Sequence, residues 1–258
     1  MGQAEPLKSP PLVEVILEVR WRLQQGGDPN LWHDPHYSLV VGKLHDHIKA
    51  QYPVHEQLPT AVIPDELSAY NVKHRFRAEK DGWPLVQIGP GILTLNEAQK
   101  YTTFSTFRPR AVSLVNAFFQ VYPERPKVSA LLLRYIDAVE IDYTKENVWQ
   151  FLGEKMHVPM ALPSKFFESL DVEKQPLHFV WECSFPCTSP RGKATLRFAT
   201  GKRGERPALI WEQMVRTSDD DVPPMPGAFQ EWLDSAHALT KAWFLKLIEG
   251  ELKERFSQ

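Results

Sequence analysis

The sequence predicts a two-layer α+β fold: a tandem duplication of a β-α-β-β-β-α unit, with antiparallel sheets and a long C-terminal helix. Three observations predict it. Short runs alternate apolar with polar residues, so their strands bury one face only. The order strand, helix, proline-rich loop, three strands, helix occurs twice along the 258 residues. A long apolar stripe at helical spacing closes the chain. The two units meet near residue 125, giving halves 1–125 and 126–258.

Leu12–Trp21 opens the first half. Val13, Val15, Leu17, Val19 and Trp21 alternate with Glu14, Ile16, Glu18 and Arg20, the period of a half-buried strand. Gly26, Gly27, Asp28, Pro29 and Asn30 break the chain. Asp34 reads as a helix cap followed by Pro35, whose missing N–H costs nothing at the first helical position. Tyr37, Val40, Val41, Leu44 and Ile48 follow at helical spacing, and Pro53 closes that helix. Residues 54–66 read as a loop with Pro59 and Pro64. Three short strands follow at about 68–78, 85–88 and 92–95, turning at Gly82 and at Gly89, Pro90 and Gly91. Thr106 is the expected cap of a helix whose stripe is Phe107, Ala111, Leu114, Val115, Phe118 and Tyr122, with Pro109 in its first turn.

The order then restarts after Pro123 and Pro126. Residues 131–142 read as a strand, and Thr144 as the cap of a short helix carrying Val148, Trp149, Phe151, Leu152 and Met156. A loop over 157–176 holds Pro159, Pro163 and Pro176. Three clear strands come next. Phe179, Trp181, Cys183 and Phe185 form the apolar row of the first, and Ala194, Leu196 and Phe198 that of the second. Leu209, Trp211, Gln213 and Val215 form one row of the third. The last helix is expected over 228–255, its inner face tracked by Phe229, Trp232, Leu233, Ala236, Leu239, Trp243, Phe244, Leu247 and Ile248.

Composition narrows the function classes. Hydrophobic residues at 43% and charged residues at 24% describe an ordinary globular chain rather than a disordered one. With 30 basic and 32 acidic side chains, no overall field draws it to nucleic acid or an anionic membrane. No apolar run approaches the ~20 residues that span a bilayer, and the polar start is not read as a signal peptide, so a cytoplasmic location is expected. Cys183 and Cys187 are expected as two reduced thiols.

Three strings, Pro10 to Val15, Leu85 to Pro90 and Leu133 to Asp137, lie in an order and spacing that resemble a sporadically distributed bacterial family of unassigned function, associated with mobile elements and genomic islands. The resemblance covers nearly the whole chain. It implies no activity and no catalytic residues, and favours a mobile-element, defence or toxin-neutralising context. Asp137 stands where that family usually has asparagine after the Arg-Tyr-Ile triplet.

Candidate chemistry is sparse. His33, His36, His45, His47 and His55 crowd one helix and its flanks, but His45 and His47 are two residues apart and point to different sides. Glu14 and Glu18 share one strand face, with Asp137, Arg134 and Glu140 on the later strand. Outward charges paired in ladders explain them as well as acid–base work does. Phosphate-loop, nucleophile-elbow and zinc-protease signatures are absent from the sequence, and no catalytic residue, metal or cofactor is expected. Two surfaces remain. Arg75, Arg77, Arg108, Arg110, Lys202, Arg203 and Arg206 would form a partner or nucleic-acid surface if the fold gathers them. Trp181, Trp211, Trp232 and Trp243 would line a ligand pocket between sheet and helix, although such spacing is commoner in plain core.

The leading expectation is therefore a non-enzymatic binding or adaptor protein for a macromolecule, in the first place a protein encoded beside it. A small-ligand module and a nucleic-acid binder are the alternatives. The oligomeric state is left open.

Overall fold

Strand β1 (Leu12–Trp21) lies in the middle of a nine-stranded antiparallel sheet that runs unbroken through both halves of the chain. The structure is a computed structural model and describes residues 7–28, 31–98 and 103–258; Pro29 and Asn30 of the predicted chain break lie outside these. After β1 come β2 (Gln24–Gln25), β3 (Trp32–His33), α1 (Tyr37–Ile48), β4 (Val54–Gln57), β5 (His74–Arg77), β6 (Leu85–Gly89), β7 (Ile92–Glu97) and α2 (Phe104–Val121). The second half supplies β8 (Val128–Glu140), α3 (Val148–Gln150), β9 (Val180–Thr188), β10 (Arg191–Arg203), β11 (Arg206–Ser218), α4 (Phe229–Leu247) and α5 (Glu251–Ser257).

The strand order is β4-β5-β6-β7-β1-β8-β11-β10-β9. The two halves join where β1 pairs with β8, with Leu17 opposite Leu133. On either side of that seam the last strand of the half comes first: β7 flanks β1 and β11 flanks β8. Whether the sheets of the two halves join, a point the sequence leaves open, is thus answered: they form one sheet.

All the apolar rows face the same way. Val15, Leu17, Val19 and Trp21 of β1 share a core with Phe76, Val86, Ile88, Leu131 and Leu133 of neighbouring strands and with Phe107, Leu114 and Phe118 of α2. Trp232, Leu233 and Ala236 of α4 join the same core. A second core gathers Val139, Phe198, Leu209 and Trp211 under Phe151, Leu152, Ile248 and Leu252. Each large side chain so buried contributes roughly 1.5–3 kcal/mol of transfer free energy before entropy is subtracted. Helices therefore cover one face of the sheet, and the alternate residues of every strand are left for the other face.

Several expected boundaries shift, each for a local reason. Residues 54–57 pair as strand β4 rather than looping, because Phe76 and its neighbours on β5 offer a ladder partner. Gln24 and Gln25 pair with Trp32 and His33. Helix α2 begins three residues early, behind Thr103, so Pro109 sits inside the helix rather than in its first turn. Asn147, not Thr144, caps α3: its side chain accepts from the N–H groups of Trp149 and Gln150, while Thr144 turns back onto Asp142. The expected final helix breaks at Gly250, whose φ of 89° is a backbone state that glycine reaches without a Cβ clash. Gly89 has a different need. A Cβ there would lie 1.8 Å from the Asn71 carbonyl oxygen, so β6 admits the incoming chain only because the side chain is absent.

Candidate functional site

The uncovered face of the sheet is built row by row from the strand register. One row runs from Arg75 through Gln87, Thr94 and Glu18 to Leu132, Arg216 and Lys193. The next runs from Asn96 through Ile16, Arg134 and Met214 to Thr195 and Ser184. A third sets Glu14 beside Ile136, Glu212, Arg197 and Glu182. Because period-two strands send every second residue to this side, polar groups distant in sequence become a contiguous surface.

On the first half these groups form one hydrogen-bonded chain. Arg77 Nε donates to Glu56 at 2.6 Å, and Arg75 donates to Gln87 Oε1 at 3.0 and 3.1 Å. Thr94 Oγ1 donates to Asn96 Oδ1 at 2.7 Å, and Asn96 Nδ2 donates to Glu14 at 2.7 Å. Arg20 pairs with Glu18 at 2.6 Å and lies over the Tyr70 ring. On the second half Glu212, 3% exposed, sits between Arg134 at 2.5 Å and Arg197 at 2.7 Å, and Arg197 also approaches Glu182. Glu56, Glu18, Glu212 and Glu182 thus pair with Arg75, Arg77, Arg20, Arg134 and Arg197 within the face itself, while Arg216 and Lys193 have no carboxylate partner among the described residues. On β1, β8 and β11, around the Arg134–Glu212 pair, lie half-buried Ile16, Leu132, Ile136, Ile210 and Met214. An apolar strip set among paired polar groups can exclude water from a partner and exchange hydrogen bonds at its edges.

Of the basic residues singled out from sequence, Arg75, Arg77, Arg203 and Arg206 fall on that face by strand register, while Arg108 and Arg110 do not. Arg108 and Arg110 sit on α2, in the helix layer of the opposite side, where Arg108 grips Asp234 of α4 at 2.5 and 2.7 Å and Arg110 binds Glu97 at 2.5 Å. Lys202, Arg203 and Arg206 surround the β10–β11 turn; Arg206 pairs with Glu140, Lys202 stands 3.9 Å from Glu205, and Arg203 donates to the Ala138 carbonyl. Arg203 also lines a hollow of about 570 Å³ with Glu14 and Trp83, and Arg108 lines one of about 540 Å³ on the helix layer with His47 and Gln230.

The four tryptophans divide between the two cores. Trp232 is buried in the first core, its Nε1 donating to Thr217 Oγ1 at 2.8 Å, and Trp243 packs against that core half-buried. Trp211 is buried in the second, with Trp181 at its margin. None of the four lines either hollow.

Of the carboxylates considered together, Glu14 and Glu18 share the open face with Arg134, but Asp137 faces the helices and Glu140 pairs with Arg206. Asp137 is 2% exposed, and burial pushes its carboxyl up to about 8. Nearby, Gln213 and Trp211 on β11 are also buried with unpartnered Nε2 and Nε1 atoms. His237 of α4, in contact with the Tyr135 hydroxyl and stacked on Phe104, is held down to about 4 by burial, assisted by Lys241. These groups form a polar belt between the two apolar cores.

The histidines regroup in a way their spacing does not announce. His55 and His74, on adjacent strands, share a 2.9 Å hydrogen bond, with His45 stacked on Phe76 beside them, while His47 turns back to the Lys43 carbonyl. Burial lowers the pKa of both His55 and His74. Among the described residues no group of three or more His, Cys, Asp or Glu side chains is placed to hold a metal ion, and no helix is long and apolar enough to cross a membrane. Both cysteines are free thiols, and burial raises that of Cys187.

No family model and no curated protein matches the chain. Among solved structures it is aligned with the crystal structure of the di-domain ARO/CYC StfQ from the steffimycin biosynthetic pathway, at 10% identity over 95% of this chain and 98% of that one. The TM-score is 0.24, at which the likeness carries no argument about fold or function.

Proposed function

We propose that the protein is a non-enzymatic binding protein that docks another protein on the open face of its sheet. The observation that carries this reading is the apolar strip of Ile16, Leu132, Ile136, Ile210 and Met214 set around the Arg134–Glu212 pair and among other paired arginines. A polyanion draws affinity from unpaired cations and releases counterions on binding. Here Arg20, Arg75, Arg77, Arg134 and Arg197 already hold carboxylates, which leaves Arg216 and Lys193 at one margin. Over most of the face a partner therefore gains more from apolar contact and edge hydrogen bonds than from charge. The mirrored strand order about the β1–β8 seam supports duplication of a β-α-β-β-β-α unit as the origin of so wide a face. The partner is a protein encoded nearby, in keeping with the mobile-element context that the sequence strings suggest. Affinity purification at native expression, with wild type beside Ile136→Glu, tests the reading: the expected result is one protein captured by wild type and lost from the variant.

A further inference from the structure

The two ends of the nine-stranded sheet are finished differently. Edge strand β4 has four residues, runs through His55, Glu56 and Gln57, and is bracketed by Pro53 and Pro59. Short, polar, proline-flanked edges resist pairing with another chain. Edge strand β9 has nine residues and no strand on its outer side among the described residues. It carries Val180 and Phe185, 51% and 47% exposed, and the segment leading into it adds Phe166, Leu170, Val172 and Leu177, all more than half exposed. Counted outward from the β1–β8 seam, one side has four strands after β1 and the other has three after β8, so the place that β4 takes on one side has no counterpart beyond β9.

We propose that this edge pairs with β9 of a second copy of the chain, antiparallel, about a two-fold axis at Ser184. One adhesive edge and one blunted edge select this arrangement. Edge-to-edge closure uses β9 twice and leaves a blunted β4 at each end, whereas head-to-tail addition would need β4 as an acceptor and would not close. The register about Ser184 is also self-compatible. Glu182 meets Pro186 of the partner subunit, Val180 meets Thr188 of the partner subunit, and Cys183 meets Phe185 of the partner subunit, so no like charges face each other. Pro186 has no N–H to donate, which costs that pair one of its two bonds.

Light scattering on micromolar protein tests this pairing independently of the open face. The expected mass is about twice 29.7 kDa, falling to the monomer value in Val180→Lys/Phe185→Glu with the circular dichroism and melting temperature kept. Val180 is 51% exposed in the single chain, but Phe185 also meets the Trp243 ring edge-on, so Val180→Lys alone, which leaves that contact intact, should lower the mass as well. Ser184→Cys, in a Cys183→Ser/Cys187→Ser background, checks the register: strand partners about 5.5 Å apart at Cα lie within disulfide reach, so mild oxidation should give a covalent dimer. A monomeric wild type, a dimer that survives Val180→Lys/Phe185→Glu, or a different protein held by this edge in place of a second copy would each overturn the proposal.

Discussion

Asp137 and Trp211 stand directly opposite each other on β8 and β11, both buried, and neither the carboxyl Oδ2 nor the indole Nε1 has a hydrogen-bond partner among the described residues. Gln213, two residues along β11, adds a third buried unpartnered group. Each such group costs on the order of 1–3 kcal/mol. This belt gathers three of the buried side-chain groups that lack a hydrogen-bond partner among the described residues.

The first prediction follows from the sign of the Asp137 shift. An unfolded aspartate titrates near 3.9, whereas burial raises the folded group to about 8. Between those values the unfolded chain has released a proton that the folded chain retains. The contribution is therefore fully present below about pH 4 and is lost as pH rises toward 8, by up to roughly 1.4 kcal/mol per unit. Asp137→Asn should remove this slope. Melting temperatures of wild type and variant, compared from pH 5 to 8, should diverge in favour of the variant as pH rises; parallel curves would refute the shift.

Tryptophan placement supplies a second prediction. Trp232 fills the first core and donates to Thr217, so Trp232→Ala should cost about 3–5 kcal/mol in denaturant unfolding. Trp232→Phe keeps much of the volume and should cost clearly less. Half-buried Trp243 should be the milder alanine substitution of the pair. Equal, small effects at both positions would point to a pocket wall instead of core.

Nucleic-acid binding gives the third. Arg108 and Arg110 lie in the helix layer, across the sheet from Arg75, Arg77, Arg203 and Arg206, and these groups hold carboxylates or carbonyls. Gel-shift titrations with single- and double-stranded DNA and RNA should show no micromolar complex even at low salt. A complex that dissolves with added salt, and with Arg75, Arg108 and Arg203 changed to Glu, would make the protein a nucleic-acid binder.

Much of the fold is legible along the chain, and particular residues show where legibility ends. Strand β1 is readable from Glu14 to Trp21 by its alternation, but Val13, expected in the inward row, is exposed because the pairing with β8 slips between Leu12 and Glu14. Strand β4 is not, since Val54, His55, Glu56 and Gln57 form a short polar edge whose only signature is the neighbour it pairs with. Helix α2 starts at Phe104 instead of beyond Thr106: Thr106 Oγ1 donates to the Thr103 carbonyl inside the first turn and does not cap the helix. The open face is the least legible feature. Glu14, Asn96, Gln87 and Arg75 are spread over more than eighty positions, and only the register of β1, β7, β6 and β5 brings them into one hydrogen-bonded chain.

Docking on the open face is tested most directly by partner capture with paired variants. Ile136→Glu places a charge at the centre of the strip, and Arg108→Glu places one on the helix layer, away from the face. Both proteins should keep the wild-type circular dichroism spectrum. From native-expression lysate, wild type and Arg108→Glu should capture the same protein, and Ile136→Glu should reduce that capture at least tenfold, as expected for an apolar hot spot worth about 1.4 kcal/mol or more. Undiminished capture by a folded Ile136→Glu, with loss in Arg108→Glu instead, would place the partner on the helices and contradict a binding role for the sheet.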